Sequence, residues 1–188
     1  MRVRSKLASI AAAAGLATGA FAGFASPVGA ATTGDTTTTF TLTAGVLAIT
    51  VPASKALGSY ATGTANTTAA LLGTVSVADG RGALLGTWTT SVSSTDFTTG
   101  AATANETISK TNADYWSGAA TSTTGVGTFT PGQLLAANQV TLATSRNAFV
   151  ATVVVGNNTA AWNPTVTITI PAAAVVGAYT GTITHSVA

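Results

Sequence analysis

The chain contains no cysteine, and charged side chains are scarce: seven Lys and Arg and five Asp and Glu occur among 188 residues. The absence of cysteine excludes disulfide bonds, a thiolate metal site and a lipid anchor on an N-terminal cysteine. The four acidic residues from Asp79 to Asp114 lack the spacing of a calcium loop. We therefore predict a non-catalytic protein with no cofactor and no metal site.

Residues 1–30 are predicted to be a secretory signal peptide. Arg2, Arg4 and Lys6 precede an apolar run over residues 7–24, and Val28-Gly29-Ala30 forms a small-residue cleavage site. A membrane anchor is the alternative, because the run approaches the length of a membrane span. The glycines and the proline near the end of the run favour a signal peptide that is cleaved off over a membrane anchor. We expect a mature chain that is secreted, extracellular or cell-wall associated, and not membrane-spanning.

Cleavage would also remove three of the seven basic residues. Four basic and five acidic residues then remain, so the formal charge of the mature chain is 4 − 5 = −1. The charge of +2 belongs to the precursor and is no indication of nucleic-acid binding.

The mature chain is predicted to hold a flexible leader over residues 31–37 and one domain over residues 38–188. Threonine dominates the polar positions of alternating segments, and β-branched residues suit a pleated surface. The alternation predicts eight to ten short strands, beginning with one at Phe40 and Leu42, and no helix beyond two turns. We expect an antiparallel β-sandwich, with a barrel as the alternative.

The stretch from Leu71 to Gly100 carries the clearest pattern. Alternation places Val75, Val77 and Asp79 on one face of a strand, and it places Trp88, Thr90 and Val92 on one face of another. The turn residues DGRG lie between them. The two strands are therefore predicted to be joined around residues 79–86.

Further predictions concern the second half of the chain. Tyr115-Trp116 and the Gly/Ser/Thr segment up to Gly127 are expected in loop-rich structure, and Pro131 is expected to begin a helical turn. A later strand is predicted to align Phe149, Ala151, Val153 and Val155 and to end in a turn at residues 156–158. The last strand is predicted to align Tyr179, Gly181, Ile183, His185 and Val187.

Two segments carry a resemblance to a known family. VSVADGRGALLGTWTTSV from Val75 to Val92, with TITIPAAAVVGAYTGTITHSV from Thr167 to Val187, resembles the WxL-domain family of bacterial surface proteins. The first Trp-x-Leu motif is Trp88-Thr89-Thr90 here, and His185-Ser186-Val187 replaces the second. The resemblance implies an exported domain that binds cell-wall peptidoglycan without a covalent link, often beside other surface proteins.

Five residues are candidates for binding: Trp88, Tyr115, Trp116, Asp79 and Arg81. Trp88 is either an exposed platform for a sugar ring or a core residue packed against the closing strand, and alternation favours the core. Trp116, beside Tyr115, is the better candidate for an exposed aromatic. Trp162 is expected to anchor the edge of a strand.

Asp79 and Arg81 either bind polar groups of a ligand or pair with each other and pin their turn, and we favour pinning. His185 lacks a nucleophile and an orienting carboxylate in its strand, so we expect a buried, hydrogen-bonded histidine.

Two functional hypotheses follow. The first is a secreted surface protein that associates with peptidoglycan or with a partner surface protein. The second is a structural subunit that self-associates through edge strands into a layer or fibre, because the charges that usually protect exposed edges are scarce.

Overall fold

The computed structural model describes residues 34–63 and 66–188. The chain divides into two units, up to Thr41 and from Leu42 onward. Of the first unit, residues 34–41 are exposed and have no regular secondary structure. The strand predicted at Phe40 and Leu42 is therefore wrong, and the first strand begins at Leu47. The predicted signal peptide and residues 31–33 of the predicted leader lie outside the described residues.

The second unit consists of antiparallel strands, which confirms the predicted all-β fold. The first six strands are β1 (Leu47–Thr50), β2 (Asn66–Leu71), β3 (Val75–Asp79), β4 (Leu84–Ser94), β5 (Phe97–Thr98) and β6 (Thr107–Ile108). The other six are β7 (Ala113–Trp116), β8 (Ala120–Pro131), β9 (Val140–Thr141), β10 (Arg146–Trp162), β11 (Thr165–Ile170) and β12 (Ile183–Val187).

Helical structure in the described residues is limited to three 3-10 helices of three residues each: Ala104–Glu106, Lys110–Asn112 and Ala136–Asn138. Pro131 ends strand β8 and does not begin a helical turn, contrary to the prediction. Within the described ranges, no helix is long and apolar enough to cross a membrane.

Strand β10 organises the larger of the two main sheets. The sheet has the order β1-β3-β10-β4-β12, and β8 also pairs with β10. Its terminal strands β1 and β12 come within 8 Å of each other, measured between Cα atoms, without forming a ladder. The larger sheet is therefore nearly closed, as in the barrel alternative. The smaller sheet has the order β2-β11-β7-β9 and shares one apolar core with the larger sheet.

Strands β3 and β4 are joined by residues 80–83, as predicted, but they do not pair with each other. Both pair with β10, which is 17 residues long and offers partners to each in turn. The predicted faces are nevertheless confirmed: Val75, Val77 and Asp79 are buried, as are Trp88, Thr90 and Val92. Alternation therefore predicted which side chains point inward, although it did not predict which strands are neighbours.

The prediction for β10 is half wrong because the strand contains a β-bulge. Phe149 and Ala151 are buried, but Val153 and Val155 are 56% and 40% exposed, and Val154 is buried instead. The register shifts between Ala151 and Val154, and Val153 has φ 55°. One extra residue reverses which side chains face the core. The turn predicted at residues 156–158 is also absent, because β10 continues to Trp162.

The loop predicted over residues 117–127 is largely strand β8, and Tyr115 and Trp116 belong to strand β7. Nine of the twelve residues of β8 are exposed, and Phe129 is the one large side chain of the strand that packs against the core. A strand with so little buried surface has no need for alternating apolar residues, so its sequence resembles that of a loop. The closing strand agrees with the prediction: Ile183, His185 and Val187 lie on the less exposed face of β12.

Candidate functional site

Trp88 is a core residue, so its interpretation as an exposed sugar platform is wrong. The indole is buried, and its ring lies 6.3 Å from those of Phe129 and Phe149, measured between centroids. Its Nε1 donates to Oδ1 of Asn158 at 2.9 Å. Because the one polar atom of the side chain is satisfied and both faces are covered, no surface of Trp88 remains for a ligand.

Asp79 and Arg81 pin their turn, as the favoured interpretation predicted. Oδ1 of Asp79 accepts from the backbone N–H and from Nε of Arg81, at 3.0 and 2.9 Å, and Oδ2 accepts from Nη2 at 3.0 Å. Nη2 also donates to the carbonyl oxygen of Thr87 at 2.8 Å. Most of the guanidinium's donors are thus committed inside the protein, which argues against carboxylate binding by Arg81.

The same carboxylate connects this turn to Trp88. Nδ2 of Asn158 donates to Oδ2 of Asp79 at 3.3 Å, while the oxygen of that amide accepts from Trp88. Hydrogen bonds from Arg81 hold the pKa of Asp79 below its usual value, against an opposing effect of burial. The carboxylate therefore stays ionised, and it joins β3, β4 and β10 at one point.

A second network joins Trp162, Tyr115 and His185. Trp162 is fully buried in the core and stacks on Phe149 with ring centroids 4.8 Å apart, so it is not the predicted anchor at a strand edge. Its Nε1 donates to the Tyr115 hydroxyl at 3.3 Å, and that hydroxyl lies 3.1 Å from Nε2 of His185. Because the indole N–H donates, the tyrosine keeps its own proton available for Nε2 of a neutral His185 whose proton is on Nδ1.

The protonation state of His185 follows from its burial. Burial lowers its pKa to about 4. The side chain is hydrogen-bonded as expected, although it is half-buried and not fully buried. Burial also raises the pKa of Tyr115, whose ring is fully enclosed. Tyr115 is therefore wrong as a candidate for a surface aromatic, and His185 is placed to accept a hydrogen bond from it.

Of the five candidate residues, Trp116 is the only one that keeps an aromatic surface open to solvent. It is half-buried at the end of β7, opposite Thr165 of β11. Among residues 34–63 and 66–188, no group of three or more His, Asp or Glu side chains lies close enough to hold a metal ion. The structure brings Asp79, Arg81 and Trp88 together as a support for the fold, and it leaves Trp116 apart from them.

An exposed apolar surface is the main feature that the sequence reasoning missed. Val155 of β10 pairs with Leu84 of β4 on one side and with Val126 of β8 on the other. Residues directly opposite each other in neighbouring strands share a face, and here that face is the outer one. Leu84 is 80% exposed and Val126 is 65% exposed. We call these three residues, together with the exposed Leu85 and Val153, the apolar strip.

The apolar strip adjoins a long unprotected edge. Within the described chain, β8 pairs with β10 alone, so the other edge of its twelve residues is free. The strand contains no charged residue, and Arg146 is the only one in β4, β8 and β10 together. Natural proteins usually protect such edges with charges or a covering segment.

One sequence signal could have found the strip. Leu84-Leu85 and Val153-Val154-Val155 are runs of adjacent apolar residues. Successive residues of a strand face opposite sides, so such runs within a one-sided sheet must expose at least one large side chain or contain a bulge. Both Leu85 and Val153 have positive φ angles, 58° and 55°. The pairing of Val155 with both Leu84 and Val126 could not be read from the sequence.

Comparison with known proteins finds no matching family model, no matching curated protein and no matching solved structure.

Proposed function

We propose that the mature chain is a secreted, non-catalytic surface protein that assembles with further copies of itself. The observation that carries this proposal is the twelve-residue, uncharged edge of β8 beside the apolar strip. An exposed edge strand offers a row of backbone donors and acceptors to another strand. Exposed aliphatic side chains next to that edge would be removed from water by the same contact.

The charge of the chain favours a second copy as the occupant of this edge. A net charge of −1 after removal of the predicted leader gives little repulsion between copies. The β8 edge has no charge for an oppositely charged partner to recognise, whereas another Thr-rich, uncharged strand can pair with it. Export, which rests on the predicted signal peptide, would place the assembly outside the cell.

The test is the concentration dependence of the molar mass of the mature chain, residues 31–188, by sedimentation and light scattering. We expect the wild-type chain to associate. We expect its association constant to fall at least tenfold in V126K, which places a charge on β8. A78K is the matched control, because Ala78 is exposed but lies on β3, which is paired on both sides. A monomer at millimolar concentration, or equal weakening in both variants, contradicts the proposal.

Attachment to peptidoglycan is the second candidate function. The resemblance to the WxL-domain family supports it, and the half-buried Trp116 supplies an aromatic surface on which a sugar ring can stack. The test is co-sedimentation of the folded mature chain with purified cell-wall sacculi. We expect W116A to lose binding and Y60A, which changes an exposed aromatic of another segment, to retain it. Failure of the wild-type chain to sediment with the sacculi removes this candidate.

A further inference from the structure

The free edge of β8 is not used by any other part of the described chain. The strand forms a ladder with β10 alone, and within residues 34–63 and 66–188 no backbone hydrogen bond from a turn or loop reaches a residue of β8. In the same ranges, its hydrogen-bonded side chains are Thr121 and Thr124, and both reach across to β10. The backbone donors and acceptors of the opposite edge are therefore open to a second strand.

The outer face of β8 carries one large apolar side chain, Val126, near the middle of the strand. Phe129 packs against the core, so the exposed Thr128 and Thr130 on either side of it point outward with Val126. Thr124 belongs to the same face, because its hydroxyl is hydrogen-bonded to the exposed Thr159 of β10. Val126 is thus surrounded by threonines along its own strand.

Across the strands, Val126 ends an apolar row. It lies opposite Val155 of β10, and Val155 lies opposite Leu84 of β4. The row stops at the free edge of β8, where one side of Val126 has no neighbouring strand. An added strand with an apolar residue opposite Val126 would extend the row and remove that side from water.

A second copy of β8 meets this requirement through symmetry alone. In an antiparallel pair of identical strands related by a twofold axis, one residue lies opposite its own copy, and the residues around it pair reciprocally. With the axis at Val126, the two valines oppose each other and Thr124 opposes Thr128 of the other copy. The overlap then extends over residues 121–131, nearly the whole strand. Because β8 has no charged residue, no like charges meet across the contact.

We propose that two copies of the chain join by antiparallel pairing of β8 with β8 about a twofold axis at Val126. This inference rests on the proposed function of self-assembly and names the strand, the direction and the register of the contact. The larger sheets of the two copies become continuous, and the apolar row crosses the junction with Leu84, Val155 and Val126 of each copy. Because both copies use the same surface, the contact closes at two copies.

The absence of cysteine allows the register to be tested with single thiols in the mature chain, residues 31–188. Directly opposed residues of antiparallel strands have Cα atoms about 4.5–5.5 Å apart, a distance that a disulfide bridges. Two positions from the axis, a residue is displaced from its own copy by four residues, or about 14 Å. We therefore expect V126C to form disulfide-linked dimers at least tenfold faster than T124C and T128C under mild oxidation.

L84C is the matched control, because Leu84 is more exposed than Val126 and lies on the same face. In the proposed dimer it lies five strand spacings from its own copy, or about 24 Å, so L84C should remain without a cross-link. Equal rates for L84C and V126C would show that the copies stack through their outer faces. A faster reaction of T124C or T128C would place the axis elsewhere. Either result overturns the proposal.

The molar mass of the wild-type chain, measured by light scattering, separates this inference from the proposed function. We expect the mass to rise with concentration and to level off at two copies. A mass that continues to rise beyond two copies overturns the closed β8 contact and leaves self-assembly intact. A wild-type chain that stays monomeric at millimolar concentration removes both.

Discussion

Trp88 and Leu84 lie four residues apart on the same strand and have opposite environments. Trp88 is enclosed by aromatic rings, and its one donor is bonded to Asn158. Leu84 is exposed on the outer face, next to Val155. The interior around Trp88 is thus closed, and the indole N–H groups of both buried tryptophans are hydrogen-bonded. The outer face around Leu84 is open and almost without charge, and this is the surface that the proposed self-association would use.

The strongest test of the closed region is the Asp79→Asn substitution. Oδ2 of Asp79 accepts hydrogen bonds from Arg81 and Asn158. An asparagine NH2 group at this position is a donor, so it cannot accept from either of them. We expect the free energy of unfolding to fall by about 2–3 kcal/mol in chemical denaturation, because buried polar groups lose their partners. Asp96→Asn is the matched control: Asp96 is exposed and accepts from the backbone of Lys110, so a loss below about 1 kcal/mol is expected. Similar losses in both variants would show that the Asp79 network does not stabilise the fold.

The second network predicts a pH dependence of stability. The pKa of His185 is about 4 in the folded chain and about 6.5 in the unfolded chain, so the unfolded state binds more protons between these values. Stability is therefore complete above pH 6.5 and is lost as the pH falls toward 4. We expect a loss of about 2–3 kcal/mol between pH 7 and pH 4.5, from denaturation curves at each pH.

His185→Gln isolates this effect, because glutamine does not titrate and the carboxylates remain. The difference in pH dependence between the two chains reports His185 alone. If both chains lose the same stability between pH 7 and pH 4.5, the histidine is not held neutral by its surroundings.

The smallest expected effect lies on the open face. Val153 is a β-branched residue with φ 55°, a conformation that disfavours such side chains by about 1–2 kcal/mol. Asparagine adopts this conformation more readily, and Val153 is exposed, so we expect Val153→Asn to raise the free energy of unfolding by about 1 kcal/mol. Val155→Asn changes the same residue type in the same strand at a negative φ and should give no gain. A loss of stability in Val153→Asn would show that its side chain has a packing role.

Local properties of the chain were predictable from the sequence. The faces of β3, β4 and β12 follow from alternation, because side chains of a strand change sides at every residue. The contact between Asp79 and Arg81 was also predictable, since the residues are two positions apart in a turn. Strand β8 was missed because nine of its twelve residues are exposed, so burial did not shape its sequence into an alternating pattern.

Contacts between distant parts of the chain could not be predicted. Tyr115 and His185 are 70 residues apart, and Leu84, Val126 and Val155 come from three strands. The bulge at Val153 reversed the predicted face of two valines, because one inserted residue changes the alternation without any mark in composition.

The sequence by itself determined that the chain forms antiparallel strands with inward faces of Val, Trp and Phe, because alternating hydrophobicity favours burial of one side of each strand. Only the tertiary structure decided that β10 lies between β3 and β4, that Trp88 and Tyr115 are enclosed, and that apolar side chains meet on the outside. Strand pairing depends on which edges approach each other in space, and a single strand's pattern carries no information about its neighbours.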